Sequence, residues 1–384
     1  MAAHKLNEDF DAELEALLRQ GASTAESADA AGAAAAGPGA VAAGPGAVAA
    51  GSGAGAGAGA GAGSGAGAAD PARGIKRPAD RVFEFLSTSS ATLITVMIAA
   101  IAAFLLWRAV PALAANEGGL VGFFTYAERW DTTNTSAMQF GIPTLFANTV
   151  LISAVALAIA MPVALGIAIF LSSYAPLRLV KPLGFLVDML AAVPSIVYGL
   201  WGWQVLGPAL SGFYTWLESW AGGFFLFTLH DNSPSFVTGR NIFTGGIVLA
   251  VMIVPIIAAT AREVFVQTPP GQIESALALG ATRWEVIRMT VLPFGKSGYI
   301  AGCMLGLGRA LGETMALYMV ISPLMDFRFS LFDGGTTFAT AIALASAEFG
   351  NEMRAGAYIA AGLMLFLLTF VVNAVARTIV KSKH

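Results

Sequence analysis

The chain has 384 residues, of which 56% are hydrophobic and only 12% are charged, and its mean hydropathy is +0.71. This balance is far too apolar for a soluble domain and indicates a membrane protein with several spans. The net charge of −3 gives no general attraction to nucleic acid. The single cysteine, Cys303, and three scattered histidines argue against a disulfide framework, a metal cluster and a histidine-based catalytic site.

The amino-terminal part differs in composition from the rest. Residues 1–30 form a short acidic segment in which Phe10, Leu14 and Leu17 recur at helical spacing, as expected of a docking peptide or of a frayed helix. The segment lacks the basic start and apolar core of a signal peptide. Residues 31–72 are almost entirely Ala and Gly, with nothing to offset the entropy of ordering, so we predict a disordered linker.

Residues 80–380 are predicted to form one membrane domain. Its six apolar runs are each near the roughly 20 residues that cross a lipid bilayer. The predicted spans are 90–110, 144–173, 183–208, 244–262, 297–321 and 355–376. We therefore expect an all-α membrane protein with six transmembrane helices and a disordered amino-terminal extension.

The basic residues between the spans predict the orientation. Thirteen Lys and Arg residues lie in segments that would share one side of the membrane, whereas four (Arg129, Arg240, Arg328 and Arg354) lie in segments on the other side. The positive-inside rule places the richer side in the cytoplasm. Both termini and the charged run 268–293 would then be cytoplasmic.

The third predicted span is interrupted. It contains Pro194, Ser195 and Tyr198, followed by glycines at 199 and 202. Proline removes a backbone donor, so a kink or break is expected here. Broken helices often line a substrate path, but many kinks serve packing only. Both interpretations of Pro194, Ser195 and Tyr198 stay open.

The run 268–293 predicts two short helices. Thr268 precedes two prolines and is suited to cap the first helix. Gly280 permits a turn that other residues resist, and Leu292–Pro293 is predicted to end the second helix. Two such helices on the cytoplasmic face are either a surface that a soluble partner grips or helices that lie on lipid.

The fifth predicted span carries a charge pair. Gly298, Gly302 and Gly306 recur every four residues, and Arg309 and Glu313 fall on the same helical stripe at about 100° per residue. Their i, i+4 spacing predicts an ion pair. Charges near mid-span cost several kcal/mol, and an apolar pair would pack with less desolvation, so we favour a functional role. Arg suits bidentate capture of an oxyanion such as phosphate.

The run 268–293 resembles the EAA loop of prokaryotic ABC importer permeases. The matching positions are Glu274, Ala276, Gly280, Leu292 and Pro293. Ser275 and Thr290 depart from the family pattern. In that family the loop forms the coupling helix that is seated on the ATPase subunit. The resemblance therefore implies the type I ABC importer permease fold and a role in ATPase coupling for the five matching residues.

Residues 306–315 and 192–199 resemble the permease subunits of phosphate ABC importers, of the PstC type, and the resemblance covers roughly residues 80–380. It implies that Arg309 and Glu313 are the charged pair associated with phosphate passage. The implied partners are a homologous PstA-like permease, PstB-like ATPase subunits and an external PstS-like phosphate-binding protein. The implied location is the prokaryotic inner membrane, and ATP and Mg would be bound by the partner subunits and not by this chain.

Other functions are less well supported by the sequence. The chain contains no Gly-x-x-x-x-Gly-Lys-Ser/Thr motif, so we expect it to be a transport subunit and not an enzyme that hydrolyses ATP. Molybdate, tungstate and sulfate are rival substrates. A stand-alone secondary anion carrier is a further alternative, which the EAA-like run disfavours.

Overall fold

The computed structural model describes residues 78–127, 130–135, 137–228, 234–326 and 329–381. The predicted segments 1–30 and 31–72 lie outside the described residues. In chain order the helices are α1 (Pro78–Ala115), α2 (Gly119–Thr125), α3 (Pro143–Ile169), α4 (Leu177–Ala192), α5 (Ser195–Trp201), α6 (Gly207–Ala221), α7 (Pro234–Val237), α8 (Ile242–Val266), α9 (Pro270–Ala278), α10 (Arg283–Val286), α11 (Leu292–Leu311), α12 (Met315–Val320), α13 (Phe338–Leu344) and α14 (Glu352–Lys381). Wider π-helical turns occupy Phe170–Tyr174, Gly202–Leu206 and Ile287–Val291, and a 3₁₀ turn occupies Ala345–Glu348.

The chain is mostly helical, as predicted, and the structure adds one small two-stranded sheet. Strands β1 (Trp130–Asp131) and β2 (Gln139–Phe140) pair antiparallel between α2 and α3. The Asp131 carboxylate accepts hydrogen bonds from the hydroxyl and the backbone N–H of Thr133, which turns the chain after β1. These bonds hold the pKa of Asp131 below its usual value.

Four described helices are long and apolar enough to cross a membrane, in agreement with four of the six predicted spans. They are Arg81–Ala115, Pro143–Tyr174, Ile242–Val266 and Glu352–Thr378. The helices Leu177–Ala192 and Ser195–Ala221, bent by 88° at the predicted break, would together make a fifth span. The predicted span 297–321 is not one helix, because it is divided between α11 and α12.

Helix α8 is the centre of the membrane domain, since 67% of its most apolar 18-residue stretch is buried. It packs against α3, where a Cβ at Gly246 would lie 2.6 Å from Val155. On its other side it packs against α11, where a Cβ at Gly306 would lie 2.9 Å from Ile257. The glycines of the α11 stripe therefore allow the close helix approach that their spacing predicts.

The bent helix pair runs beside α8 over most of its length. Gly184 in α4 contacts Arg262 near the carboxyl end of α8, and Gly202 contacts Val248 near its amino end. A Cβ at Gly207 would lie 3.1 Å from the carbonyl oxygen of Gly239, which precedes α8. The chain from α4 to α6 thus passes from one end of the central helix to the other.

Candidate functional site

One continuous helical rod joins the run 268–293, called the docking segment from here on, to Arg309 of the predicted charge pair. Helix α10, the π turn Ile287–Val291 and α11 follow each other without a break. The prediction that Leu292–Pro293 ends the second helix is wrong. Proline lacks an N–H, and the wider turn before it accommodates this loss, with the Leu292 N–H donating to the carbonyl of Ile287. Residues 283–311 would span roughly 43 Å at about 1.5 Å per residue.

The first docking helix begins differently from the prediction. Pro269 and not Thr268 is the N-cap residue of α9, and no side chain caps this helix. The buried Thr268 hydroxyl donates instead to the carbonyl of Phe265, at 2.8 Å. The same carbonyl also accepts the Thr268 N–H at 3.2 Å, so Thr268 closes the last turn of α8 with both its hydroxyl and its backbone.

The turn between the two docking helices follows the prediction. Gly280 has a φ of +85°, in the left-handed region that glycine adopts without strain. The next helix, α10, starts with a capping box in which the Glu285 carboxylate accepts from the N–H and hydroxyl of Thr282 at 2.7 and 2.8 Å. Both bonds lower the pKa of Glu285, and the bond from the Thr282 N–H has the larger effect.

The docking segment has a buried side and an exposed side. Ile287 and Val291 are buried against Phe265 and the end of α3, which fixes the segment to the membrane domain. The exposed side carries four large apolar side chains, with Leu277, Leu279, Trp284 and Met289 exposed by 48, 90, 54 and 70%. An exposed apolar patch next to charged side chains is typical of a protein interaction site.

The five residues that match the EAA pattern lie on this segment. Glu274, Gly280 and Pro293 are exposed, whereas Ala276 and Leu292 are half-buried. Glu274 lies in α9, Gly280 in the turn, and Pro293 at the start of α11. The structure thus presents the pattern at the surface, on both sides of one turn.

The predicted ion pair between Arg309 and Glu313 does not form. Helix α11 ends at Leu311, so Arg309 lies in its last turn and Glu313 lies beyond it. The Glu313 Oε1 atom accepts a hydrogen bond from the Ala316 N–H at 3.2 Å. Among the ion pairs within the described residues, none joins these two side chains.

The break after α11 has a local cause. Gly308 and Gly312 weaken the last turn, because glycine is a poor helix former. The buried Glu313 carboxylate then supplies an acceptor for a backbone N–H at the start of α12. A carboxylate at this position also interacts favourably with the positive end of the helix dipole.

Arg309 is exposed within the single chain. Its side chain lines an open cavity of about 750 Å³ between α8, α11 and α14. Asn373 and Arg377 of α14 line the same cavity. Sequence reasoning missed Asn373, although a lone amide in an otherwise apolar run was the available signal. Arg309 is also close enough to Tyr198 of α5 to act on it electrostatically.

The other predicted path residues lie at the break between α4 and α5. Pro194 is the exposed N-cap residue of α5, and Ser195 is half-buried at its first position. The Tyr198 hydroxyl donates to the carbonyl of Leu190 across the break, at 2.8 Å. Tyr198 thus stabilises the break and lies within electrostatic range of Arg309, whereas Pro194 and Ser195 make no described contact with Arg309.

The whole carboxyl-terminal part of the chain, including both regions just described, matches a known family. The family described as "Binding-protein-dependent transport system inner membrane component" matches residues 164–383. The chain belongs to this family. It is therefore the multi-pass membrane component of a transport system that depends on a binding protein, which confirms the predicted class.

Relatives within this family are named as PstC permeases. "Phosphate transport system permease protein PstC 2" of Mycobacterium tuberculosis is 51% identical over 308 residues, covering 80% of this chain and 93% of the relative. The PstC protein of Mycobacterium leprae is 52% identical over 306 residues, covering 79% and 94%. The predicted resemblance to the PstC type is thus confirmed. Among solved structures, a bacterial ABC transporter involved in alginate import aligns at 16% identity, covering 79% of this chain and 99% of that chain, with a TM-score of 0.47.

Proposed function

We propose that this chain is the permease subunit of an ATP-driven phosphate importer and forms half of its translocation path. The observation that carries the proposal is the exposed Arg309, which forms no ion pair within the described residues. A charge near mid-membrane that faces lipid costs several kcal/mol. We infer that its face is covered by a second, homologous PstA-like permease and borders a water-filled path.

A tetrahedral oxyanion is the class of substrate that agrees with this site. The guanidinium group can hold a tetrahedral oxyanion through two parallel hydrogen bonds. With Glu313 turned to the start of α12, the fork of Arg309 is not occupied by that carboxylate. The names of the relatives support phosphate over molybdate, tungstate or sulfate.

ATP hydrolysis on partner subunits would be coupled to this chain through the docking segment. We infer that PstB-like ATPase subunits, which would bind ATP and Mg, contact the exposed apolar side of α9 and α10. Because α10, the π turn and α11 follow each other without a break, a displacement at Trp284 would be carried along this rod to Arg309. This chain would bind no cofactor of its own.

The proposed orientation places both termini and the docking segment in the cytoplasm of a prokaryotic cell. A PstS-like phosphate-binding protein would deliver phosphate to the opposite side, where β1 and β2 lie. In the proposed cycle, phosphate passes to Arg309 while the path is open outward. ATP-driven closure of the ATPases then moves the rod and opens the path inward, and Glu313 competes for Arg309 as the anion leaves.

Uptake of labelled phosphate by vesicles that contain the complete complex tests this function. The vesicles would hold ATP inside and receive the phosphate-loaded binding protein outside. We expect ATP-dependent phosphate accumulation that excess sulfate, molybdate or tungstate does not reduce. Accumulation of one of those anions in place of phosphate would contradict the proposed substrate, and uptake by this chain without ATPase subunits would contradict the importer.

A further inference from the structure

Arg240 is a second arginine of the membrane domain, and the proposed path does not include it. It lies just before Asn241, the N-cap residue of α8. Its guanidinium carbon is 5.6 Å from the ring centre of Trp203, and its Nη2 atom donates to the carbonyl of Met319 at 3.3 Å. Three elements therefore meet at this side chain: the π turn Gly202–Leu206, the end of α12 and the start of α8.

The charge of Arg240 is not neutralised by a described carboxylate. Within the described residues it forms no ion pair, and its buried Nε–H has no hydrogen-bond partner. A guanidinium carries five N–H donors, and Met319 accepts from one of them. A partly buried cation with unused donors is unfavourable unless an anion or water satisfies it.

Arg240 and Arg309 lie at opposite ends of one pair of packed helices. Helices α5 and α12 are in close contact, since a Cβ at Gly199 would lie 2.9 Å from Cα of Ala316. Tyr198, within electrostatic range of Arg309, lies in the middle of α5, and Trp203, which Arg240 contacts, lies in the π turn that follows α5. The six residues of α12 that separate the two ends rise by about 9 Å.

We propose that Arg240 is an outer binding site for the transported oxyanion, which occupies it before it reaches Arg309. The inference rests on the proposed function, whose orientation places Arg240 on the external side. Two cationic sites in series allow an anion to enter favourably and still leave, because no single site has to hold it tightly. The unused donors of Arg240 would then face an anion released by the binding protein.

A purely structural role for Arg240 predicts different results. A cation at the end of α12 interacts with the helix dipole, and its stacking on Trp203 adds packing. Arg240→Lys keeps the charge but loses the planar fork, and Arg240→Gln keeps a donor for Met319 but loses the charge. Arg354→Gln is a matched control, because Arg354 also lies on the external side and donates to a backbone carbonyl, that of Thr133.

The test is phosphate uptake per ATP hydrolysed in vesicles that contain the complete complex and the phosphate-loaded binding protein. For Arg240→Gln we expect a loss of about tenfold in this ratio, as for removal of one charged hydrogen bond of about 1.4 kcal/mol, with assembly and ATPase activity retained. Arg240→Lys should retain most of the ratio, and Arg354→Gln should resemble wild type.

Three outcomes would overturn the proposal. The first is a wild-type ratio in Arg240→Gln, and the second is an equal loss in the Lys and Gln variants. The third is failure of both variants to assemble, which would make Arg240 a packing residue. If wild type takes up phosphate but Arg240→Gln is unchanged, only the outer site is refuted. If wild type takes up no phosphate, the proposed function and the outer site are both refuted.

Discussion

The carboxylate of Glu313 accepts a hydrogen bond from the backbone N–H of Ala316, at 3.2 Å, at the start of α12. This contact holds the acidic member of the expected charge pair away from Arg309, although the two are only four residues apart. Glu313 is buried and Arg309 is exposed. The two residues therefore have separate surroundings in this state of the protein, and substitutions can separate their roles.

Replacing Glu313 distinguishes a structural from an electrostatic role. Gln retains an oxygen that can accept from Ala316, whereas Ala leaves that buried N–H without its acceptor, at a cost of about 1–3 kcal/mol. We expect Glu313→Ala to lower the melting temperature of the complex and Glu313→Gln to leave it near wild type. If Glu313 also competes for Arg309, Glu313→Gln should slow phosphate release in uptake assays. Equal melting temperatures for the Gln and Ala variants would contradict the capping contact.

Gly298 is the position at which α11 should not tolerate a side chain against α8. A Cβ at Gly298 would overlap the Val264 side chain, whereas a Cβ at Gly308 would have no neighbour within 4 Å. We expect Gly298→Ala to destabilise the protein by about 1–3 kcal/mol through overpacking. Gly308→Ala should be neutral or slightly stabilising, because Ala is the better helix former. Thermal unfolding in detergent compares the two, and a more stable Gly298→Ala variant would refute the close packing.

The turn at Gly280 should depend on backbone conformation alone. Its φ is +85°, and a Cβ there would meet nothing within 4 Å. A β-branched residue resists this conformation by roughly 1–2 kcal/mol, whereas Asn adopts it more readily. We expect Gly280→Val to reduce the amount of ATPase subunit that co-purifies and Gly280→Asn to retain most of it. Gly271→Ala is the control, since Gly271 lies in α9 and has equally free surroundings. Normal assembly of the Val variant would show that the turn is dispensable.

The capping box of α10 should respond to acid. The pKa of Glu285 is lowered by its hydrogen bonds to Thr282, so the folded state favours the charged carboxylate. Its contribution is therefore present above the ordinary glutamate pKa of about 4.3 and is lost as the pH falls through the lowered value. Glu285→Gln at neutral pH should mimic that loss.

Hydrogen exchange of residues 282–286, corrected for the intrinsic effect of pH, measures this response. Wild type at pH 7 should be protected, and protection should fall several-fold once the pH is below the lowered pKa of Glu285. Glu285→Gln should exchange fast at both pH values, while Glu274→Gln, which changes an exposed carboxylate in α9, should not affect this segment. Full protection in Glu285→Gln at pH 7 would contradict the cap.

The sequence was sufficient for features that depend on local composition. Apolar run length predicted the helices around α8, and the properties of Pro194 and Gly280 predicted a break and a left-handed turn that the structure contains. These features follow from hydropathy and from backbone limits of single residues, which do not need tertiary contacts to be recognised.

The sequence was insufficient where a polar group had more than one possible partner. Thr268 bonds to the end of α8 and does not cap α9, and Glu313 bonds to α12 and does not pair with Arg309. Pro293 is accommodated by a π turn, so the helix continues. The positions of Asn373 beside Arg309 and of Arg240 over Trp203 depend on tertiary packing, which spacing along the chain does not reveal.

The most direct test of the account compares phosphate uptake by wild-type complex with that of Arg309→Gln and Arg309→Lys, with assembly and ATPase activity measured in parallel. We predict that Arg309→Gln assembles and hydrolyses ATP but loses uptake by about tenfold or more, as expected for loss of a charge-assisted hydrogen bond of about 1.5–3 kcal/mol. Arg309→Lys should retain part of the uptake, since it keeps the charge without the bidentate fork. Uptake at the wild-type rate by Arg309→Gln would contradict the claim that Arg309 binds the transported anion.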